Sequence, residues 1–430
     1  MKMHHHLFIC FSLIALVSTS ASAQTDQNLT LSDAEKIAIQ NHPKIQAAMY
    51  SATAAEAQVT QARSAYYPMA YGSLTGVEAE SNSRVAAGGL NNPIIYDRYA
   101  NGVTVNQLIT DFGRTHQLVK SSNFHAQAQQ ANVVTSRADV LLQVDQAYFS
   151  VLKAQAVLTV AEQTVNERQL VADQVRVLEK NKIKSGLDVS FANVGLAQAQ
   201  LLLIQAQNDL QASFAELSTA LGYSDQRTFQ LSEEPLPPAP PSDVTGLIQQ
   251  ALKDRPELVS QRFEVNSAQS YTTAERDLWF PTISAVATAG LVPVAQEPLA
   301  PRYAAAGFNV NIPLFNGFLY SSLRDEANSR ARVQEQHLRD LQNRIVRDVG
   351  RAWLGAKSAY QRLAVTDQLL KEANGALDLA QSRYNLGLSS IVELSQAQLN
   401  QTQAQIEQAS AKYDYAIQIS VLNYQFGNLN

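Results

Sequence analysis

Two hydrophobic spacings alternate along the 430 residues. Between residues 113 and 180 there is no proline, and Val144, Val151, Leu158, Val165 and Ala172 recur every seventh position. Ala147, Ala154 and Ala161 keep the same step beside them. After Gly186 it resumes with Leu196, Leu203, Leu210 and Leu217, flanked by Ala199, Ala206, Ser213 and Ala220. The second half repeats it in Val349, Ala356, Leu363, Leu370, Leu377 and Tyr384, then in Leu399, Ile406 and Tyr413. A sustained seven-residue step predicts helices packed as coiled coils. Elsewhere the period is two. Phe308, Val310, Ile312 and Leu314 alternate with Asn309 and Asn311, and Val103 and Val105 with Thr104 and Asn106. These are two-faced strands, expected at about 101–110 and 305–314, with partners at about 68–77 and 281–292.

The pattern occurs twice. Asn41-His42-Pro43 matches Asp254-Arg255-Pro256, and Tyr66-Tyr67-Pro68 matches Trp279-Phe280-Pro281, both 213 residues on. Ala147-Tyr148 matches Ala352-Trp353 at 205, and Leu221-Gly222 matches Phe426-Gly427 at the same distance. Lys184-Ser185-Gly186-Leu187 aligns with Asn385-Leu386-Gly387-Leu388 at 201. A first repeat therefore covers 24–230 and a second 244–430, joined by a stiff proline-rich linker over 231–243. Each repeat reads helix, strand, loop, strand, long helix, tight turn, helix. The first helix is expected over 32–66, opening with Ser32 and Glu35 as a capping box. Its counterpart covers 244–279. The tight turns fall near 181–187 and 385–389.

Lengths add a constraint. Segments 32–66 and 188–222 together match the long segment 113–180, as 244–279 and 388–425 together match 318–386. Two shorter helices stacked end to end would lie along one long helix. At 1.5 Å per residue that helix is roughly 100 Å long, too long for a compact single core. Leu278–Ala295 carries no charge over 18 residues and has a second reading as a membrane helix; Pro281, Gly290 and Pro293 argue against it.

Composition sets the compartment. Lys2 and a histidine run precede an apolar stretch from Leu7 to Val17, then small residues ending Ala21-Ser-Ala23. Residues 1–23 read as a secretory signal peptide. The single cysteine, Cys10, leaves with it, so no disulfide framework is expected. A net charge of −5 argues against nucleic acid as a partner. Charged residues make up only 17%, with Ala, Gln, Ser and Asn in their place. That is too polar for a helical bundle in lipid and unusually rich in small residues for an enzyme core.

Strands of about ten residues match the length that crosses an outer membrane when tilted. Four of them cannot close a barrel, and open edges are not tolerated in lipid. Several chains must then share one barrel. Two would give eight strands with a filled interior; three would give twelve and a lumen.

An exported, twofold-repeated chain with Asn41-His42-Pro43, aromatic-aromatic-Pro, and strands running into Ile312-Pro-Leu-Phe-Asn-Gly317 resembles the TolC family of outer-membrane efflux proteins. So does the tip segment from Arg383 through Tyr384, Gly387 and Ile391 to Glu393 and Leu394. The likeness covers essentially the whole chain after the leader. It implies a mainly α fold: a long coiled-coil helical barrel, four membrane strands per chain, and a twelve-stranded β-barrel shared in a homotrimer. It implies an outer-membrane location with a long periplasmic extension. It also implies an exit duct for efflux or type I secretion, working with a periplasmic adaptor (a membrane fusion protein) and an inner-membrane pump or ABC exporter.

By the same resemblance, the periplasmic mouth is lined by Glu393, Gln396, Tyr384 and Asp188, and the adaptor docks on Lys180, Lys182, Lys184, Gly186, Gly387, Ser389 and Ser390. Three departures from the family pattern stand out: Gln396 is not acidic, Ser389 replaces a basic residue, and Ala192 takes the place of Glu393 in the first repeat. Two readings of the acids stay open. Ser390 and Glu393 also spell a capping box, and Asp188 also suits a helix cap. The lysines equally suit a solvated helix end. No cofactor is expected, because no metal-ligand spacing, phosphate loop or nucleophile motif occurs. Asp111-Phe112-Gly113 matches a kinase metal motif in letters only and reads as a strand-to-helix turn. The competing class is a periplasmic coiled-coil adaptor or structural protein without a channel. It would need a substantial β-rich domain of its own. A periplasmic enzyme, the third class, lacks a catalytic constellation.

Overall fold

A computed structural model describes residues 28–80, 97–295 and 300–428. The leader expected over 1–23 and the middle of both strand-linking loops lie outside the described residues.

The chain opens with helix α1 (Leu31–Asn41), followed by α2 (Pro43–Arg63). The cap of α1 is Thr30, not Ser32: its hydroxyl accepts from the Asp33 amide at 3.2 Å and donates to the Asp33 carboxylate at 2.7 Å. The helix expected over 32–66 breaks at His42, which is extended (φ −71°, ψ 123°). Proline explains the break, because a residue before proline avoids the helical region while proline itself suits a first helical turn. Arg255 before Pro256 breaks the second repeat in the same way, giving α5 (Thr245–Asp254) and α6 (Pro256–Arg276).

Four strands follow these helix pairs: β1 (Met69–Val77), β2 (Arg98–Thr110), β3 (Thr282–Ala295) and β4 (Arg302–Asn311). They form one antiparallel sheet in the order β1-β2-β3-β4, with β1 and β4 at its edges. The membrane-helix reading of Leu278–Ala295 is overturned, since most of that segment is β3. Strand ends move from the expected positions. β4 starts and stops earlier than 305–314, before Pro313, which cannot donate to a ladder. β3 runs past 292 because Pro293 falls at the register shift opposite Tyr99 and Asn101, where a ladder hydrogen bond is missing anyway. Register sorts the two faces. Val103, Val105, Ala287, Ala289, Ala306 and Phe308 share one with Leu74; Tyr71, Thr104, Asn106, Thr288 and Asn309 share the other.

The long helices are α3 (Arg114–Lys180) and α7 (Leu319–Asn385), each 67 residues. Each turns back into a 35-residue helix, α4 (Gly186–Ala220) or α8 (Ile391–Gln425). All four boundaries recur at 205 residues. The spacing of 201 at the tight turns is therefore a misalignment. Gly387 corresponds to Lys182, and the first-repeat equivalent of Glu393 is Asp188, not Ala192.

α4 and α2 stack end to end along α3. The C-terminus of α4 closes on Gly222 at φ +83°, with Gly222 N–H donating to Thr219 and Tyr223 N–H to Ser218. A Cβ on Gly222 would lie 2.9 Å from the Asn41 backbone and 3.0 Å from His42 Cα, so α4 ends against the α1–α2 junction. Gly427 repeats the arrangement against Arg255, more loosely.

Helices lie side by side in a fixed order. Toward the turns it is α4–α3–α8–α7; toward the strands it is α2–α3–α6–α7. Small residues make the seams: Ala192, Ala199, Ala206, Ser213 and Ala220 are buried, as are Ala352, Ala359, Thr366, Ala373 and Ala380. Leu399 departs from its expected step and is 55% exposed; Leu394, Gln401, Tyr415 and Leu422 are buried instead. The largest core sits at mid-height, where Ala34, Ile45, Val144, Tyr148, Leu217 and Tyr413 pack together. The segment after α4 is held there by side chains. The Tyr148 hydroxyl lies 2.9 and 2.7 Å from the Leu29 and Ser232 carbonyls, Trp353 donates to Pro241 at 2.8 Å, and Tyr415 donates to Pro238.

Candidate functional site at the helical tips

Both tips use one backbone device. At the second, Gly387 is left-handed (φ +72°), its N–H donating to Tyr384 and that of Leu388 to Arg383. At the first, Lys182 takes the left-handed slot (φ +59°), its N–H donating to Glu179 and that of Ile183 to Leu178. This pattern satisfies the last carbonyls of a helix. Ser185 and Ser390 then begin the returning helices.

The caps differ. Ser185 and Asp188 form a closed capping box. The Asp188 carboxylate accepts from Ser185 N–H at 2.8 Å and Oγ at 2.7 Å, and Ser185 Oγ accepts from Asp188 N–H at 3.3 Å. Partial burial opposes ionisation, but the Ser185 bonds and the nearby Lys184 charge together hold this carboxyl below its ordinary value. Ser390 makes no side-chain cap. Glu393, at the same helical position as Asp188, pairs with Arg383 at 3.0 Å across the turn. The capping-box reading of Glu393 is thereby overturned: the guanidinium draws the carboxylate away from the Ser390 backbone. Gln396 is exposed and donates to Asn400 at 2.9 Å.

Lys184 and Tyr384 bring the two hairpins together. The Lys184 ammonium sits 3.7 Å from the centre of the Tyr384 ring and donates to the Tyr384 carbonyl at 3.3 Å. A cation over an aromatic face is worth about 0.5–2 kcal/mol, depending on desolvation. Tyr384 is buried at 3% exposure, packed with Ala172, Val175, Ala192, Ile391 and Leu394. Burial, with a lesser push from the Asp188 charge, raises its phenol to about 12. The Tyr384 hydroxyl and Ser389 Oγ are buried without a hydrogen-bond partner. Lys180, Lys182, Gly186, Gly387 and Ser390 are exposed at the turns.

Two of these contacts carry no signal in the sequence. Lys184 meets Tyr384 across 200 residues, and nothing local marks Arg383 as the partner of Glu393. The buried position of Tyr384 in its seven-residue ladder was the available clue. Among the described residues, no three His, Cys, Asp or Glu side chains converge as a metal site.

This geometry agrees with what the chain is similar to. The family described as outer membrane efflux protein matches residues 36–223 and 247–423, one segment in each repeat. The outer membrane protein TolC of Escherichia coli is 24% identical over 362 residues, spanning 77% of this chain and 72% of that protein. The alkaline protease secretion protein AprF of Pseudomonas aeruginosa is 23% identical over 425 residues, 94% of this chain and 85% of that one. Among solved structures, the Campylobacter jejuni CmeC outer membrane channel has the same fold. Its TM-score is 0.79 at 16% identity, covering 99% of this chain and 94% of that one. With both repeats matched, the chain belongs to the outer membrane efflux protein family and is a protein of the outer membrane.

Proposed function

We propose that three copies of this chain close into one passive exit duct, a twelve-stranded barrel continued by a helical tube into the periplasm. The order of neighbours carries the reading. In the sheet and both helical tiers, the first repeat supplies one free flank (β1, α2, α4) and the second supplies the other (β4, α7). Head-to-tail contact between unlike flanks closes a ring when the rotation fits.

The free flanks suit each other. On α4, Leu187, Val194 and Leu201 are 65%, 54% and 66% exposed at a seven-residue step. On α7 and its C-cap, Val365, Leu379 and Leu386 are exposed at multiples of seven. Leu187 and Leu386 both adjoin a tip, and the helices run in opposite directions, so the stripes meet height for height. α4 is the one described helix long and apolar enough to cross a membrane. Its packing along α3, a long polar helix, supports seating that apolar flank on a neighbouring copy instead.

In the sheet, the apolar face suits lipid and the face with Thr104, Asn106 and Asn309 suits a wet lumen. Aromatic contacts at the sheet base, Phe112–Phe280, Trp279–Tyr320 and Phe315–Phe318, suit a membrane interface. At the other end, Lys184 on Tyr384 and Arg383 on Glu393 hold the mouth. The exposed turns at Lys180, Lys182, Gly186, Gly387 and Ser390, with half-buried Ser389 between the last two, are the docking points for a periplasmic adaptor, which links the duct to an inner-membrane pump or ABC exporter. An adaptor hairpin without a channel leaves the two-faced sheet unexplained.

The test is direct. Val194→Cys with Leu379→Cys should give disulfide-linked trimers in detergent, and the purified protein should conduct ions across planar bilayers. Monomers that neither cross-link nor conduct would end the duct reading. Glu393→Ala should change the cation dependence of conductance; an unchanged profile would remove Glu393 from the mouth.

A further inference from the structure

Twelve residues before the end of α3, Arg168 is 6% exposed, and its guanidinium donates to Thr402 of α8 at 3.1 Å. Among the described residues no carboxylate pairs with it; Glu167, its neighbour in sequence, is exposed to solvent. A buried cation whose only carboxylate neighbour is solvated and unpaired with it is costly to keep. The fold does not require one, because Ala373 occupies the equivalent point of α7 and is also buried.

Arg168 borders a cavity of about 420 Å³ between α4 and α8, floored by α3. That volume lies within the range of small-molecule sites, about 300–1,000 Å³. Gln198 and Gln398 supply amide groups, while Phe191 and Leu202 supply apolar wall. Gly195 keeps the space open: a Cβ there would meet nothing nearer than Arg168 Cδ, at 3.8 Å. One cation, flanking amides and an apolar wall select a particular ligand class. Guanidinium pairs with a carboxylate through two parallel hydrogen bonds, and the wall takes a hydrocarbon body.

We propose that this cavity binds a monovalent organic acid, with its carboxylate on the Arg168 guanidinium and its apolar body against Phe191 and Leu202. The bound acid bridges α4 of the first repeat and α8 of the second. Its binding is read on the protein alone and does not rest on the duct reading.

The experiment titrates the full chain after leader removal, held in lipid nanodiscs, with 1-naphthoate and its neutral counterpart 1-naphthamide. Calorimetry follows binding, and empty nanodiscs supply the background. Naphthoate should saturate one site per chain and bind at least tenfold more tightly than naphthamide. Arg168→Gln should weaken naphthoate at least tenfold and leave naphthamide unchanged. Gly195→Leu, which fills the cavity and keeps the arginine, should abolish binding of both; it decides the matter if Arg168→Gln does not assemble. Absence of saturable naphthoate binding, equal affinity in Arg168→Gln, or binding that survives Gly195→Leu would overturn the proposal.

Discussion

The two hairpin tips share a backbone and differ in how they hold it. The first places Lys182 in a left-handed slot that disfavours side chains, then recovers stability with the closed Ser185–Asp188 box. The second has Gly387 there, at no steric cost, and leaves Ser390 without a cap. Its polar groups look elsewhere: Glu393 to Arg383, Tyr384 to Lys184 of the other hairpin. The first tip is thus satisfied within itself. The second depends on a contact across its own turn and on one made by the other hairpin.

The largest expected contrast between repeats lies at mid-height. Gly222→Ala meets backbone at 2.9 Å in a left-handed conformation and should cost about 3 kcal/mol, from strain plus overpacking. Gly427→Ala meets nothing nearer than 3.7 Å and should cost only the conformational part, about 1 kcal/mol. Denaturant unfolding of the two variants checks this; equal losses would mean the two helix junctions are equally tight.

Next comes Asp145, whose counterpart in α7 is Gly350. Asp145 is 3% exposed and has one carboxyl oxygen without a partner. Burial, opposed by the Ser420 hydrogen bond and aided by Glu35, raises its carboxyl from 3.8 to about 7. The folded chain then holds a proton that the unfolded chain has released. Stability from this group is full below about 4 and falls as pH rises toward about 7. Asp145→Asn should flatten that slope and raise the melting temperature at pH 8. A slope unchanged by the substitution would assign it to other groups.

A smaller effect separates the caps. Ser185→Ala should destabilise by about 1 kcal/mol, the usual loss of a cap, while Ser390→Ala should do almost nothing. Equal losses would erase the contrast between the tips. Smallest is Lys182→Gly, which relieves the left-handed strain and should stabilise by a few tenths of a kcal/mol up to about 1 kcal/mol. It should leave the Lys184–Tyr384 contact, and hence conductance, unchanged.

Much of this fold was legible in the sequence because its strongest signal is long and uninterrupted. A seven-residue step without proline marks α3 and α7 almost to their ends, and alternation marks the strands. Signals that compete at short range were not legible. Pro43 and Pro256 were visible, but a proline that opens a helix and one that breaks it have the same letter. Gly186 drew the tip alignment toward itself, because the left-handed slot at the first tip is filled by a lysine. Ser390 and Glu393 spell a capping box, yet an arginine across the turn captures the acid. The Lys184–Tyr384 contact exists only once two hairpins lie side by side, and no local pattern encodes that.

The segment joining the repeats crosses the molecule at the level where α4 abuts α2. Tyr148 and Trp353, equivalent points on the two long helices, are tied to Ser232 and Pro241 of that segment. A spliced rod is weakest in bending at its splice, so a hoop fastened there confines flexure to the part beyond it. Leverage applied at the tips is absorbed in the lower helices and does not reach the sheet.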